Sequence, residues 1–177
     1  MFFKILQILC NYYIIVSMNI VYILSNEIDA YGFLESVLKE KFNIKMPEIK
    51  RGPHGKPYFP GTAIHFNISH SGDLKILAIA ETPVGVDIEK VRKADLRVAN
   101  RFAQTEKDYV LEKDNNYRFF EIWTKKEAYL KYKGTGLRGG LDSFDVFSLP
   151  EDINTFRFKE YFISVCGIKE FKTEVIK

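Results

Sequence analysis

Trp123, Glu127 and Lys131 recur at intervals of four residues in the stretch FFEIWTKKEAYLKYKGTGL. At 3.6 residues per turn, this spacing places the three side chains on one face of a helix. Gly134 and Gly136 follow, and we expect them to end that helix. A carboxylate and an ammonium one turn apart are often an ordinary surface pair. They can also bind a metal ion and a phosphate, and two further stretches of the sequence favour this second interpretation.

The first of these stretches is VGVDIEK, whose pattern predicts a strand. Alternation along a strand sends the apolar residues to one face and Asp87 and Glu89 to the other. Two neighbouring carboxylates repel each other unless solvent or a cation separates their charges. Mg²⁺ suits this pair because it binds one or two carboxylates together with phosphate oxygens and water. Glu127 would add a third oxygen ligand if its helix packs over the strand, although an exposed Asp-x-Glu strand is common.

The second stretch is FNISHS, in which we expect His70 to lie in a turn just after a strand at residues 63–68. A single histidine in a loop is usually a polar surface residue. Ser69, His70 and Ser71 do not suggest a nucleophile and base, because adjacent residues of an extended chain point apart and no orienting acid follows. Binding of a phosphate through hydroxyl, imidazole and backbone N–H groups is the functional alternative.

A short basic loop, RGPHGKP, precedes both stretches and carries Arg51, His54 and Lys56. Solvent is the usual environment of such charges. Glycines beside a lysine also let the backbone approach an anion closely, so the loop is a second candidate for a phosphate contact.

The composition indicates a globular protein and limits the classes of partner. The chain has 177 residues, of which 46% are hydrophobic and 15% aromatic, so it can bury a core and is not disordered. Its net charge of +3 is too small to indicate nucleic acid binding. Cys10 and Cys166 have no neighbouring ligand residues, and we interpret both as small buried side chains in a reducing compartment.

The N-terminus is open to two interpretations. Residues 5–25 contain no charge and are long enough to span a bilayer, so they can form a membrane anchor. Polar residues dilute this stretch, and no cleavage site or second span accompanies it. The favoured interpretation is that Met18 is the true start and that residues 1–17 are an upstream extension. Residues 19–24 then form a first buried strand.

The rest of the chain mixes helices with mainly antiparallel strands, which predicts an α+β fold. Helices are expected at residues 28–42, 95–103, 105–113 and 117–133. Thr105 and Asp108 resemble a capping pair for the third of these helices. Further strands are expected at residues 143–149, 155–158, 161–166 and 171–176. Residues 74–81 and 84–89 are expected to form the two strands of a hairpin.

Taken in order, GKPYF, FNISHS, GVDIEK and WTKKEAYLKYKGTGL resemble the signature of the Sfp-type 4'-phosphopantetheinyl transferases. The resemblance spans residues 51–137, about half of the chain. Each motif alone is unspecific, whereas the ordered combination is highly specific. The position of Asp87 in mid-chain favours the two-halves Sfp type over the smaller acyl-carrier-protein synthase type, which starts with its Asp-x-Glu strand.

The resemblance implies an α+β fold of two similar α/β halves related by a pseudo-twofold axis, each with a small, mostly antiparallel sheet and a long helix. The halves would be residues 18–84 and 85–177, with the metal site in the second half. The implied reaction moves the 4'-phosphopantetheine arm of coenzyme A to a serine of an acyl or peptidyl carrier protein and releases adenosine 3',5'-bisphosphate. Fatty acid, polyketide or nonribosomal peptide synthesis would use the product.

The family pattern also implies roles for individual residues. Asp87, Glu89 and Glu127 would hold Mg²⁺, or Mn²⁺, against the pyrophosphate of the coenzyme. Glu127 is then the implied base for the carrier serine, and Lys131 stabilises the leaving phosphate. The residues that match coenzyme-binding positions of the family are Arg51, Lys56, Asn67, Ser69, His70, Lys126 and Lys131.

The first half of the chain departs from the family pattern. Basic residues are expected in the first long helix, but Glu35 stands about where an arginine is expected, with Lys39 or Lys41 as substitutes. This departure motivates an alternative function, a non-catalytic relative that binds carrier proteins or coenzyme A. An unrelated magnesium phosphohydrolase is a third hypothesis. The family further implies carrier docking on residues 95–120 and a monomer in the cytoplasm, without a nucleic acid or membrane partner.

Overall fold

The computed structural model describes residues 18–113, 115–136 and 140–176 of the chain, and this part has an α+β fold. Its α-helices are Ala30–Phe42 (α1), Gln104–Glu112 (α2) and Asn115–Lys133 (α3). Its strands are Ile20–Ser25 (β1), Lys50–Arg51 (β2), Pro57–Tyr58 (β3), His65–Ser71 (β4), Leu74–Ala80 (β5), Gly85–Lys90 (β6), Ile153–Phe158 (β7), Tyr161–Cys166 (β8) and Lys172–Ile176 (β9).

The strands form two main sheets and a small hairpin. The first sheet has the order β4-β5-β1-β9 and is antiparallel except for β1 and β9, which run parallel. The second sheet has the order β6-β8-β7 and is antiparallel throughout. The short strands β2 and β3 pair on either side of the basic loop. Because β9 follows β8 in the chain yet joins the first sheet, it ties the two sheets together.

Alternation along β1 distributes its residues between two cores. Tyr22 and Leu24 point toward α1, where they pack in one cluster with Leu34. Val21 and Ile23 point the other way and pack in a second cluster with residues of β6 and β8. The first sheet is therefore covered by α1 on one face and by the second sheet on the other.

α3 packs across β6 and β8 on the other face of the second sheet. Gly85 makes this close packing possible, because a β-carbon at this position would lie 2.2 Å from the carbonyl oxygen of Ala128 and 2.2 Å from the backbone nitrogen of Tyr132. The helix that carries Glu127 thus lies directly on the strand that carries Asp87.

The expected end of this helix is confirmed. α3 ends at Lys133, and Gly134 and Gly136 follow with φ angles of 69° and 60°. Glycine adopts this left-handed backbone without steric cost, and the Gly134 N–H donates to the carbonyl of Leu130 at 2.9 Å. Leu137, the last residue of the stretch, lies outside the described residues.

The predicted hairpin of residues 74–81 and 84–89 is wrong, although both strands form. β5 pairs with β1 along one edge and with β4 along the other, whereas β6 pairs with β8. Because both edges of β5 already carry hydrogen-bonded partners, neither is left for β6. The prediction for His70 is also corrected, since this residue lies within β4 and pairs with Lys75 of β5.

Two elements predicted in the second half of the chain do not form. A short 3₁₀ helix, Val98–Arg101, takes the place of the helix expected at residues 95–103. Turns take the place of the strand expected at residues 143–149. In both segments an aspartate, Asp95 or Asp145, accepts a hydrogen bond from the backbone N–H two residues later. Such local bonds compete with regular secondary structure.

The predicted cap of the following helix is also wrong. α2 begins after Ala103, whose backbone N–H donates to the Glu106 carboxylate at 2.9 Å. Thr105 and Asp108 lie inside the helix, and the Thr105 hydroxyl donates to Asp145. The acid of the first turn therefore caps this helix, without a hydroxyl at the cap position.

Part of the N-terminal segment, for which the sequence left two interpretations open, lies outside the described residues. Residues 1–17, which include Cys10, are among those not described, while residues 20–25 of the proposed span form β1. Within the described residues, no helix is both long enough and apolar enough to cross a membrane. Cys166 is buried in β8 as predicted, and burial raises the pKa of its thiol to about 12.

The contact at Gly85 predicts a large effect of Gly85→Ala. Its new methyl group would displace the α3 backbone, so we expect the free energy of unfolding to fall by about 3 kcal/mol, the cost of overpacking. Chemical denaturation measures this change. Gly52→Ala is the control, because a β-carbon there would meet the Lys56 carbonyl oxygen at an ordinary contact distance of 3.7 Å. Equal stabilities of the two variants would contradict the described packing.

Candidate active site

The face of α3 that the sequence spacing predicts is turned toward β6. The Lys131 ammonium donates to Asp87 Oδ1 at 2.6 Å, and the Trp123 indole N–H donates to Glu89 Oε1 at 3.3 Å. Glu127 lies between Trp123 and Lys131 along the helix, close enough to both carboxylates of β6 for their charges to raise its pKa. The structure therefore brings the three predicted acids and Lys131 together.

Asp87 is the most buried of these acids, with 4% of its surface exposed. Its Oδ1 atom accepts hydrogen bonds from Ser69 Oγ at 2.8 Å and from Lys131 at 2.6 Å. Its Oδ2 atom is buried and has no hydrogen-bond partner among the described residues. Burial raises the pKa of Asp87, and the adjacent Lys131 opposes this rise. A buried carboxylate oxygen without a partner is costly unless a donor or a cation meets it.

Glu127 has a pKa suited to proton transfer. Burial raises its pKa to about 7, the charges of Asp87 and Glu89 add to the rise, and Lys131 opposes it. A carboxyl group that titrates near neutrality can take up and release a proton at physiological pH. In the metal-free site, Glu127 is therefore a candidate proton acceptor.

Glu89 is held on both of its carboxylate oxygens. Oε1 accepts from Trp123, while Oε2 accepts from Ser71 Oγ at 2.9 Å and from Arg92 Nη1 at 3.0 Å. The three donors lie on α3, on β4 and just after β6. The contact of Arg92 carries no local sequence signal, because residues three apart share a face in a helix, whereas Arg92 follows a strand. Ser71 was considered only as a neighbour of His70, and its contact with Glu89 depends on packing between strands.

The donor chemistry of this site fits a divalent cation. Three carboxylates share two cations, since Lys131 pairs with Asp87 and Arg92, whose side chain is 61% exposed, pairs with Glu89. The oxygen-only donor set, with the unpartnered Oδ2 of Asp87, suits a hard ion such as Mg²⁺. In the described residues, however, no three His, Cys, Asp or Glu side chains are grouped as an assembled metal site.

Side chains, and not a backbone ladder, connect β4 to β6, which belong to different sheets. Asn67 Oδ1 accepts the backbone N–H of Val86 at 2.8 Å, and Ser69 and Ser71 donate to the two carboxylates of β6. We call Asn67, Ser69 and Ser71 the β4 ladder. Asn67 and Ser69, expected at the coenzyme, are thus buried against β6, whereas His70, which follows Ser69, is exposed.

The basic loop folds against the C-terminal end of α3. Lys56 Nζ donates to the carbonyl oxygens of Val84 at 3.0 Å and Tyr132 at 3.1 Å, and burial lowers its pKa to about 8. Arg51 stays exposed on β2, and its guanidinium donates to the carbonyl of Gly55 at 3.0 Å. Lys56 therefore fixes the loop to β6 and α3, while Arg51 faces solvent.

A pocket of about 220 Å³ opens between the basic loop, β4 and the end of α3. Its lining includes His54, Lys56 and Lys131 together with the two glycines that follow α3. The lysines of this lining, beside glycine backbone, suit a phosphate group. The pocket also adjoins Asp87 through Lys131, which lines the pocket and binds that carboxylate.

Lys126 lies on the opposite side of α3 and does not reach this site. It is fully buried and forms an ion pair of 2.7 Å with the equally buried Glu106. Its ammonium also donates to the carbonyl oxygens of Leu141 at 2.6 Å and Phe144 at 2.8 Å. Burial lowers its pKa, and Glu106 opposes this. Adjacent residues of a helix are separated by about 100° around its axis, more than a quarter turn. Lys126 therefore points to a different face of α3 from Glu127.

Comparison with known proteins adds an independent line of support. A model of the 4'-phosphopantetheinyl transferase superfamily matches residues 83–171. The chain is 38% identical over 120 residues to the 4'-phosphopantetheinyl transferase Sfp of Bacillus subtilis (strain 168), an alignment that covers 64% of the chain and 54% of that protein. It is 39% identical over 126 residues to the 4'-phosphopantetheinyl transferase ffp of Bacillus subtilis, covering 67% and 56%.

A second group of relatives matches a shorter segment. The chain is 41% identical over 97 residues to the 4'-phosphopantetheinyl transferase AcpT of Escherichia coli (strain K12), covering 50% of each protein. The chain spans about half the length of these curated relatives. The segment matched by the family model includes Asp87, Glu89, Glu127 and Lys131.

The raised pKa of Glu127 predicts a pH dependence of stability in the metal-free protein. The folded state keeps this proton between the usual value of 4.5 and about 7, where the unfolded chain releases it. The contribution of Glu127 to the free energy of unfolding therefore falls as pH rises through this window. Relative to wild type, Glu127→Gln should gain about 1 kcal/mol between about pH 5 and about pH 8, since partial exposure weakens the effect.

Denaturation in chelator at several pH values measures this gain. Glu81→Gln is the control, because Glu81 is exposed and lies outside the site. A pH-independent difference between wild type and Glu127→Gln would contradict the raised pKa.

Proposed function

The chain belongs to the 4'-phosphopantetheinyl transferase superfamily, and we propose that it transfers the 4'-phosphopantetheine arm of coenzyme A to a serine of an acyl or peptidyl carrier protein. The second product is adenosine 3',5'-bisphosphate. The observation that carries this proposal is the cluster of Asp87, Glu127 and Lys131, in which an unpartnered buried oxygen, a carboxyl of pKa about 7 and an ammonium lie beside a cationic pocket.

The proposed reaction is a phosphoryl transfer between two oxygens. The serine hydroxyl oxygen forms a bond to the phosphorus that carries the pantetheine, and the bond from that phosphorus to the adenosine bisphosphate oxygen breaks. The serine proton passes to a base. Such reactions depend mainly on positioning and on neutralisation of phosphate charge, so the protein needs no covalent intermediate.

We assign the proton-accepting role to Glu127, the acid that lies one turn before Lys131 on the same face of α3; its pKa of about 7 belongs to the metal-free site, and a bound cation would lower it. Lys131 lies one turn further along α3 and lines the pocket, so its ammonium is placed to stabilise the negative charge of the leaving phosphate. These roles put the reacting phosphorus between the two side chains.

Asp87, Glu89 and Glu127 are the residues that would hold Mg²⁺, or Mn²⁺ in its place. When bound, the ion supplies positive charge that neutralises the pyrophosphate oxygens. The chain contributes the oxygen ligands, and Ser69 and Lys131 fix the orientation of Asp87 through its Oδ1 atom.

The coenzyme is proposed to lie along the pocket and the basic loop. Lys56 and Lys131 line the pocket, and Arg51 and His70 are exposed nearby on β2 and β4. Asn67 also lines the pocket, and Asn67 and Ser69 would support the coenzyme-binding wall through their bonds to β6. Lys126, paired with Glu106, would instead support α3 from its far side.

The proposal also covers the organisation of the protein. Residues 18–84 and 85–177 would be two similar halves with a pseudo-twofold relation that meet at the β4 ladder. Residues 95–120 would dock the carrier protein, and the active unit would be a monomer. The free, buried Cys166 agrees with a reducing compartment such as the cytoplasm.

A transfer assay tests this function. The purified chain is mixed with coenzyme A, Mg²⁺ and an apo-carrier protein, and the intact mass of the carrier is measured. We expect the carrier to gain the mass of phosphopantetheine. Asp87→Ala and Glu127→Ala should each lower the rate about 100-fold or more, because each removes charge stabilisation made in the transition state. Glu81→Ala, an exposed acid outside the site, should keep the wild-type rate.

The assay distinguishes the hypotheses raised by the sequence. Binding of coenzyme A or carrier without any transfer to several carriers would favour a non-catalytic relative. Release of inorganic phosphate without a carrier would favour a phosphohydrolase. Transfer at a near wild-type rate by Asp87→Ala or Glu127→Ala would refute the assignment of the site.

A further inference from the structure

We propose that Ser71 is a positioning residue that orients the Glu89 carboxylate, and that its hydroxyl thereby sets the affinity of the site for a divalent cation. This inference rests on the proposed function, because it assumes that Glu89 is a cation ligand. Ser71 is the last residue of β4 and the last member of the β4 ladder. The sequence patterns and the proposed reaction assign it no role.

Both hydrogen-bonding directions of the Ser71 hydroxyl are used at β6. The hydroxyl donates to Glu89 Oε2 at 2.9 Å and accepts the backbone N–H of Lys90 at 3.1 Å. A serine hydroxyl normally rotates to suit its surroundings, but two simultaneous partners fix its direction. Ser71 therefore fixes the position of the Glu89 carboxylate relative to the backbone of β6.

The other two donors to Glu89 hold it less firmly. Arg92 has 61% of its side-chain surface exposed, so solvent screens its attraction. Trp123 donates at 3.3 Å, which is beyond the usual distance for an N–H···O bond. Of the three donors to Glu89, Ser71 makes the shortest hydrogen bond, and it is the one that lies on the first sheet.

The position of Ser71 in the fold gives this contact a wider effect. β4 and β6 belong to separate sheets, and the β4 ladder joins them through side chains. Ser69 fixes Asp87 and Ser71 fixes Glu89, so the two serines set the positions of the two β6 carboxylates relative to each other. Groups that orient metal ligands commonly change metal affinity or activity by about 10-fold to 100-fold when they are removed.

Trp123 offers a readout of Glu89 that needs neither metal nor substrate. It is the single tryptophan of the chain, so a ¹H–¹⁵N spectrum contains one indole resonance. Its N–H donates to Glu89 Oε1, and that resonance reports a change in the carboxylate's orientation. Ser36 provides a matched control, because its hydroxyl donates to the Gly32 carbonyl on the exposed face of α1.

The experiment compares wild type with Ser71→Ala, Ser71→Thr and Ser36→Ala by two measurements at a temperature where all are folded. In metal-free protein, we expect Ser71→Ala to move the indole resonance, while Ser71→Thr and Ser36→Ala leave it in place. In calorimetric titration with Mg²⁺, Ser71→Ala should raise the Kd about 10-fold, and the threonine hydroxyl should restore it. A merely structural role of Ser71 would lower the melting temperature without changing the Kd.

An unchanged resonance in Ser71→Ala overturns the proposal, and so does an unchanged Kd in a wild-type protein that binds Mg²⁺. If the wild type binds no Mg²⁺, the cation-affinity part of the proposal is refuted together with the metal site. In that case the indole resonance still decides whether Ser71 orients Glu89. Carrier transfer by wild type, measured separately, shows whether the proposed function stands when the role of Ser71 fails.

Discussion

The contact between Lys131 and Asp87 is the interaction on which the candidate site depends. It spans 2.6 Å between α3 and a nearly fully buried carboxylate on β6, and it leaves the second oxygen of Asp87 without a partner in the described structure. Lys131 pairs with Asp87 and the largely exposed Arg92 pairs with Glu89, so the three carboxylates of the site share two cations. Burial raises the pKa of Glu127 to about 7, and the neighbouring charges of Asp87 and Glu89 add to this rise. A site with this imbalance is suited to bind a divalent cation and, through Lys131, a phosphate.

The geometry of this contact is set from three directions. Gly85 lets α3 lie against β6, since any β-carbon there would meet the helix backbone at 2.2 Å. The β4 ladder fixes β6 from the side of the first sheet through Asn67, Ser69 and Ser71. Lys126 and Glu106 hold α3 from its far side in a fully buried ion pair. The carboxylates of β6 are therefore positioned by elements from both sheets, and small changes at any of these contacts should reach the site.

Patterns along the sequence predict which residues share one face of a helix or strand. They fail where the structure depends on packing between distant segments. The four-residue spacing of Trp123, Glu127 and Lys131 correctly places them on one helix face, and alternation correctly separates Asp87 from Val86. Both rules depend only on the geometry of a single element. The partner of β6 and the burial of Lys126 depend on contacts between distant segments, for which the sequence carries no local signal. Local side-chain hydrogen bonds also limit prediction from sequence. Asp95 and Asp145 each accept the backbone N–H two residues later, in the segments where a helix and a strand were expected.

The most direct test of the account is to locate a cation in crystals of the wild-type protein grown with Mn²⁺. Anomalous diffraction identifies Mn²⁺ independently of the protein model. We predict a single strong peak bonded to Asp87 and to at least one of Glu127 and Glu89, at the end of the pocket that Lys131 lines. A peak that does not contact Asp87, or no peak at a saturating concentration of Mn²⁺, would contradict the assignment of this cluster as the metal site.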